Sequence, residues 1–169
     1  IIVSFTSFRH FNPEITLVLV TNIYPPQNYV DLLSGLNVLI RVVPFNFEPP
    51  KEFGEKFKGC FYFFDALQNS KKDTIYIDPD VFCVQNLDEM VKSLNEKIAI
   101  FSLDFPENYN INGLTISEAT SIWNNYRNVT NTKPNSIKHL GGEIIYIPKS
   151  QIKKLNSKIL DFWKWNTAQ

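Results

Sequence analysis

Cysteine is scarce in this chain and an excess of basic charge is absent. Its 169 residues include two cysteines, Cys60 and Cys83. They are too few and too widely spaced for a cysteine zinc site. Both fall in apolar patterns, so the reading is buried, reduced thiols and not a disulfide framework. Lys plus Arg and Asp plus Glu balance at 17 each, which offers no basic face for nucleic acid. No basic amphipathic segment suits a membrane surface. No apolar run reaches the length of a membrane span, and the N-terminus has no charged-then-apolar leader. The expectation is a cytoplasmic protein with no transmembrane segment and no nucleic-acid partner. One sequon, Asn128-Val129-Thr130, carries little weight without a leader. The chain does not begin with Met, which fits a fragment.

The length suits one domain with a real core, residues 1–169, and not two. Fourteen Phe, seven Tyr and three Trp suit a sizeable core or a sugar-contacting surface. The apolar runs at 15–21, 38–43, 74–77, 98–103 and 144–147 read as strands, the first as one buried on both faces and that at 98–103 as another buried strand. Short helical patterns fall at 29–34 and, with Asn86 and Glu89 as a capping box, after residue 86. A second capping box, Thr115 to Glu118, opens a helix through about Arg127. Phe53, Phe57, Cys60, Phe61, Phe64 and Leu67 recur at helical spacing and predict an amphipathic helix over 51–69. Their stripe is core packing, with Lys56, Lys58 and Asp65 on a solvated face. Ile152, Leu155, Ile159, Phe162 and Trp163 mark a last amphipathic helix. Residues 1–9 fit either a strand or a helical face.

The most informative stretch runs from Thr74 to Val84. A β-branched and aromatic run ends in Asp78-Pro79-Asp80. Proline pushes the residue before it toward the extended region, so Asp78 and Asp80 point to one side. Their Cα atoms lie about 6.5 Å apart if the segment stays strand-like. Two carboxylates at a strand end can share a hard divalent cation that keeps open positions for substrate phosphates. In open α/β sheets that end faces the ligand crevice. The competing reading is an ordinary turn, which Asp-Pro-Asp forms readily. Asp104 is a second acid at a strand end, read equally as turn former or sugar-hydroxyl acceptor. Gly141-Gly142 permits close approach of a ligand or a neighbouring strand, and Glu143 follows. His139 is more readily a structural residue than a metal ligand.

Tyr76-Ile77-Asp78-Pro79-Asp80-Val81, followed by Asn86-Leu87-Asp88-Glu89-Met90, resembles the DXD block of GT-A glycosyltransferases of the glycogenin and lipopolysaccharide-galactosyltransferase type. His139 to Ile147 resembles the segment in which a small-residue turn lines the donor-sugar pocket, with Leu140-Gly141-Gly142-Glu143 in place of Asn-Ser-Gly. The resemblance implies an α/β, Rossmann-like fold with a mostly parallel central sheet flanked by helices. It favours a helix over the first residues, preceded in the family by a strand that this chain lacks. The family's C-terminal segment, which supplies a third metal ligand and a phosphate-binding lysine, is lacking too.

The implied function is transfer of a sugar from a nucleotide-diphospho-sugar, a UDP-sugar by preference, to a saccharide or other hydroxyl acceptor. The cofactor is Mn²⁺ or Mg²⁺ on Asp78 and Asp80. Asp104, Gly141, Gly142 and Glu143 are the substrate-binding candidates. Glu143 is the catalytic candidate, as base or hydroxyl acceptor, beside a plain salt-bridging role. Two other readings compete. One is a truncated or degenerate GT-A domain that binds nucleotide or partner without catalysis. The other is a haloacid-dehalogenase-type phosphohydrolase with Asp78 as nucleophile and Asp80 as acid/base. Against the last, the chain has no downstream Asp-Asp or Gly-Asp-X-X-X-Asp.

Overall fold

A computed structural model describes residues 1–49, 51, 58–103, 105–106, 108–111, 114–130 and 139–168. It is a mixed α/β structure. Helix α1 covers Ile2–Phe11, so the first residues are helical. Strand β1 (Leu17–Thr21), helix α2 (Gln27–Gly35) and strand β2 (Val38–Val42) follow as a right-sized βαβ unit. The two strands pair in parallel, Leu17 opposite Val38 through Thr21 opposite Val42. Asn37 closes the turn after α2 at φ 52°, a left-handed position that Asn tolerates.

The second half opens with a 3₁₀ turn, Lys58–Phe61, continuing into α3 (Tyr62–Gln68). Strand β3 (Thr74–Ile77), helix α4 (Asp88–Ser93) and strand β4 (Ala99–Leu103) come next. The short strands β5 (Asn110–Ile111) and β6 (Leu114–Thr115) form a hairpin. Helix α5 (Ile116–Thr130), strand β7 (His139–Ile147) and helix α6 (Lys149–Thr167) complete the chain.

The strand carrying the acidic pair is not in a parallel sheet. Its sheet has the order β3-β7-β4, with β7 antiparallel to both neighbours. Parallel pairing, expected for most of the sheet, is confined among the described residues to β1 and β2. Strand β4, expected to be buried, is an edge, and Phe101 is 56% exposed. β1 is half-buried beyond Leu17 rather than covered on both faces.

Two apolar clusters hold these pieces. Phe5 and Phe8 of α1 pack with Leu17, Leu33, Val38 and Cys83, and Ile77 and Val81 rest against them. Phe47, Leu67, Ile147, Ile152 and Ile159 form the other, with Phe63, Tyr76, Ile145 and Trp163. Arg9 locks α1 to the βαβ unit by donating to the carbonyls of Leu36, Asn37, Pro13 and Ile15.

The capping box at Thr115 is present: the Glu118 N–H donates to Thr115 Oγ1 at 3.1 Å and the Thr115 N–H to Glu118 Oε2 at 2.8 Å. The one expected at Asn86 is not. There α4 starts two residues later, and Asn86 Oδ1 accepts from the Asp88 N–H instead. The aromatic stripe predicts one helix over 51–69, but a 3₁₀ turn occupies 58–61, and 52–57 lie outside the described residues. Asp65 is not on a solvated face. It is 1% exposed and accepts from the N–H groups of Asn46 and Phe47 and from the Asn46 amide. Among the described residues no helix is long and apolar enough to cross a membrane.

Candidate functional site

Asp78 is the first residue past β3, and the ladder continues through it. Its N–H donates to the Glu143 carbonyl oxygen at 3.0 Å, extending the register that sets Ile77 opposite Ile144. Alternation then puts the Asp78 and Glu143 side chains on the face that carries Tyr76 and Ile145. Directly opposed side chains of an antiparallel pair have Cβ atoms about 4.5–5.5 Å apart. The two carboxylates are therefore neighbours.

The chain turns at once. The Val81 N–H donates to the Asp78 carbonyl at 3.1 Å, so 78–81 is a β-turn and Asp78-Pro79-Asp80 does not run on as strand. The extended spacing expected for the acids gives way to a turn that carries Asp80 beside the strand end. Turn geometry and an acidic cluster coexist here.

Helix α3 packs on the same sheet face, with Phe63 edge-on to Tyr76 at a ring separation of 4.8 Å. The 3₁₀ turn that leads into α3 thereby comes over the end of β3. A cavity of about 550 Å³ opens there, lined by Ile1, Gly59, Cys60, Asp78, Pro79 and Asp80. It is a surface depression largely open to solvent, not an enclosed pocket. Cys60, expected in the core, is exposed and faces this space; Cys83 is buried as expected. A 3₁₀ turn has three residues per turn instead of 3.6, which rotates Cys60 away from the stripe that its spacing suggested.

Asp78, exposed as a residue, titrates above the ordinary carboxylate range. Partial burial of the carboxyl is the largest cause, followed by the charges of Asp80 and Glu143. Among the described residues none forms a salt bridge with any of the three acids. No ready-made cluster of three metal-ligating side chains occurs among the described residues either. The donors present are hard carboxylate oxygens, which fit Mg²⁺ or Mn²⁺ when a substrate supplies the remaining ligands.

Of the other candidates, Asp104 lies outside the described residues. Gly141 and Gly142 are not a turn before β7 but part of it. A Cβ at Gly142 would meet nothing within 4 Å, so no close approach requires glycine there. The His139 backbone pairs with Leu103 of β4. Gly59 and Cys60 went unassigned in sequence because nothing local says that their turn overlies β3.

No protein family, no curated protein and no solved structure matches this chain.

Proposed function

We propose that the chain is a metal-dependent glycosyltransferase domain of GT-A type, using a nucleotide-diphospho-sugar donor, a UDP-sugar by preference, and a hydroxyl acceptor. The observation that carries this reading is the trio Asp78, Asp80 and Glu143 at a strand end, without a salt-bridge partner among the described residues, two of them lining an open depression of about 550 Å³. Mutually repelling carboxylates favour a divalent cation over an empty site. Bound there, Mn²⁺ or Mg²⁺ supplies charge neutralisation to the diphosphate leaving group. Asp78 and Asp80 hold that charge in place. Glu143 serves as the hydroxyl-facing carboxylate, a base or hydrogen-bond acceptor for the sugar or the acceptor. Cys60 and Gly59 bound the opposite wall.

The reading is tested by incubating the chain with a panel of UDP- and GDP-sugars and Mn²⁺ and measuring release of the nucleoside diphosphate. Release that depends on Mn²⁺ and falls at least 100-fold in Asp78→Ala supports it (on the order expected for loss of a metal-held charge). Absence of release with every donor leaves the second reading, a GT-A domain that binds without catalysis. That reading is favoured because the described residues hold no group of three metal-ligating side chains.

A further inference from the structure

We infer that Asn12 is a positioning residue for the acidic turn: its side-chain amide ties the segment after Asp80 to α1 and so fixes where Asp80 stands relative to Asp78. The inference rests on the cation-site reading of Asp78 and Asp80. Asp80 sits between two anchors. On one side the β3–β7 ladder and the 78–81 turn hold Asp78. On the other, Cys83 packs into the cluster of Phe5, Phe8, Leu17, Leu33 and Val38, and the hydrogen bonds that reach the segment come from the end of α1 and from Ser7 within it. The Cys83 N–H donates to Ser7 Oγ at 2.9 Å. Asn12 Nδ2 donates to Cys83 Sγ at 3.2 Å, and Asn12 Oδ1 accepts from the Leu87 N–H at 2.8 Å. Asn86 Nδ2 adds a longer bond to the Phe11 carbonyl at 3.3 Å.

Asn12 is suited to this task by residue type and by place. One amide offers a donor and an acceptor, and both are used, on residues four apart. Its side chain is buried, the residue being 2% exposed, so water does not substitute for either partner. Its backbone is held as well, as the α1 C-cap whose N–H bonds to the Phe8 carbonyl. The segment it grips has little apolar anchorage of its own. Phe82 is 58% and Val84 76% exposed, and between them only Cys83 is buried. The N-cap of the same helix, Ile1, is on the cavity wall, and Arg9 near its other end donates to the carbonyls of Ile15 and Leu36, just ahead of β1 and β2. Position is thus passed from the end of α1, through Asn12, to the segment that follows Asp80.

A buried Asn at a helix end can also be a purely structural bond, so the test compares two variants that both loosen α1. With UDP present, Mn²⁺ is titrated calorimetrically into the wild type, Asn12→Ala and Arg9→Lys, with thermal unfolding measured on each. Arg9→Lys keeps the charge but breaks the fork to the βαβ carbonyls. The expected result is an affinity loss of about 10-fold or more in Asn12→Ala, in line with outer-shell residues at metal sites, against less than 2-fold in Arg9→Lys. Unchanged affinity in Asn12→Ala overturns the inference, as does an equal loss in both. Should Asn12→Ala not fold, Ser7→Ala removes the neighbouring tie to the Cys83 N–H, together with the hydroxyl's bond to the Ser4 carbonyl, and the same loss is expected; wild-type affinity there overturns the inference. A wild type that binds no Mn²⁺ overturns the cation-site reading itself, which is a distinguishable failure.

Discussion

Asp78 and Glu143 stand opposite each other on the β3–β7 ladder, joined by the bond from the Asp78 N–H to the Glu143 carbonyl oxygen. Like charges directly opposed across a ladder are destabilising. Asp80 adds a third negative charge from the turn, and among the described residues no cationic side chain pairs with the three. The fold keeps a repulsion that a proton or a cation relieves.

Asp78→Asn is expected to stabilise the free chain at neutral pH. The folded-state pKa of Asp78 lies above its unfolded value, so its contribution is complete below the unfolded pKa and is lost as pH rises through the folded one. The variant carries no such loss. Because the residue is exposed, the gain is below about 1 kcal/mol. Thermal unfolding against pH reads it: the variant melts above wild type at pH 7, and the difference vanishes toward pH 3. A lower melting temperature at pH 7 counts against the repulsion.

Mn²⁺ reverses that order. At a free concentration 100 times its dissociation constant it stabilises the wild type by about 2.7 kcal/mol. Asp78→Asn gains far less. Equal shifts in the two proteins place the ion elsewhere.

The two thiols separate by exposure. Native protein is expected to react with a maleimide at Cys60 alone, and unfolded protein at Cys60 and Cys83. Since Cys60 lines the cavity beside Asp80, UDP with Mn²⁺ slows labelling at Cys60. Labelling unaffected by saturating nucleotide places the donor outside this cavity.

Asp65→Ala is expected to cost about 2 kcal/mol, because the buried Phe47 N–H and the part-buried Asn46 N–H lose their acceptor. Urea unfolding measures it. Glu48→Ala, which removes an exposed ion pair with Lys58, costs less than about 1 kcal/mol by the same measurement.

What the sequence disclosed follows the distance over which each feature is decided. The Thr115–Glu118 box involves residues three apart, and its capping hydrogen bonds are there. β3 and β7 are runs of β-branched and aromatic residues, and both are strands. The acidic pair was visible for the same reason, as a strand ending in Asp-Pro-Asp. Asp65 reads as solvated because its partners, Asn46 and Phe47, lie 19 and 18 residues back and fold over it. β4 looked buried because an apolar run does not say whether its strand has a neighbour on each side. Antiparallel pairing of β3 with β7 joins segments some 70 residues apart, which no local pattern encodes. Asn12, 75 residues from Leu87, carried no signal at all.

The most direct measurement is calorimetric titration of UDP, with and without Mn²⁺, into the wild type and into the double variant Asp78→Ala, Asp80→Ala. Saturable binding that requires Mn²⁺ and disappears in the double variant is the expected result. Binding that survives the loss of both carboxylates, or no nucleotide binding by the wild type with either UDP or GDP, contradicts a donor site at this strand end and leaves Asp78-Pro79-Asp80 as a turn.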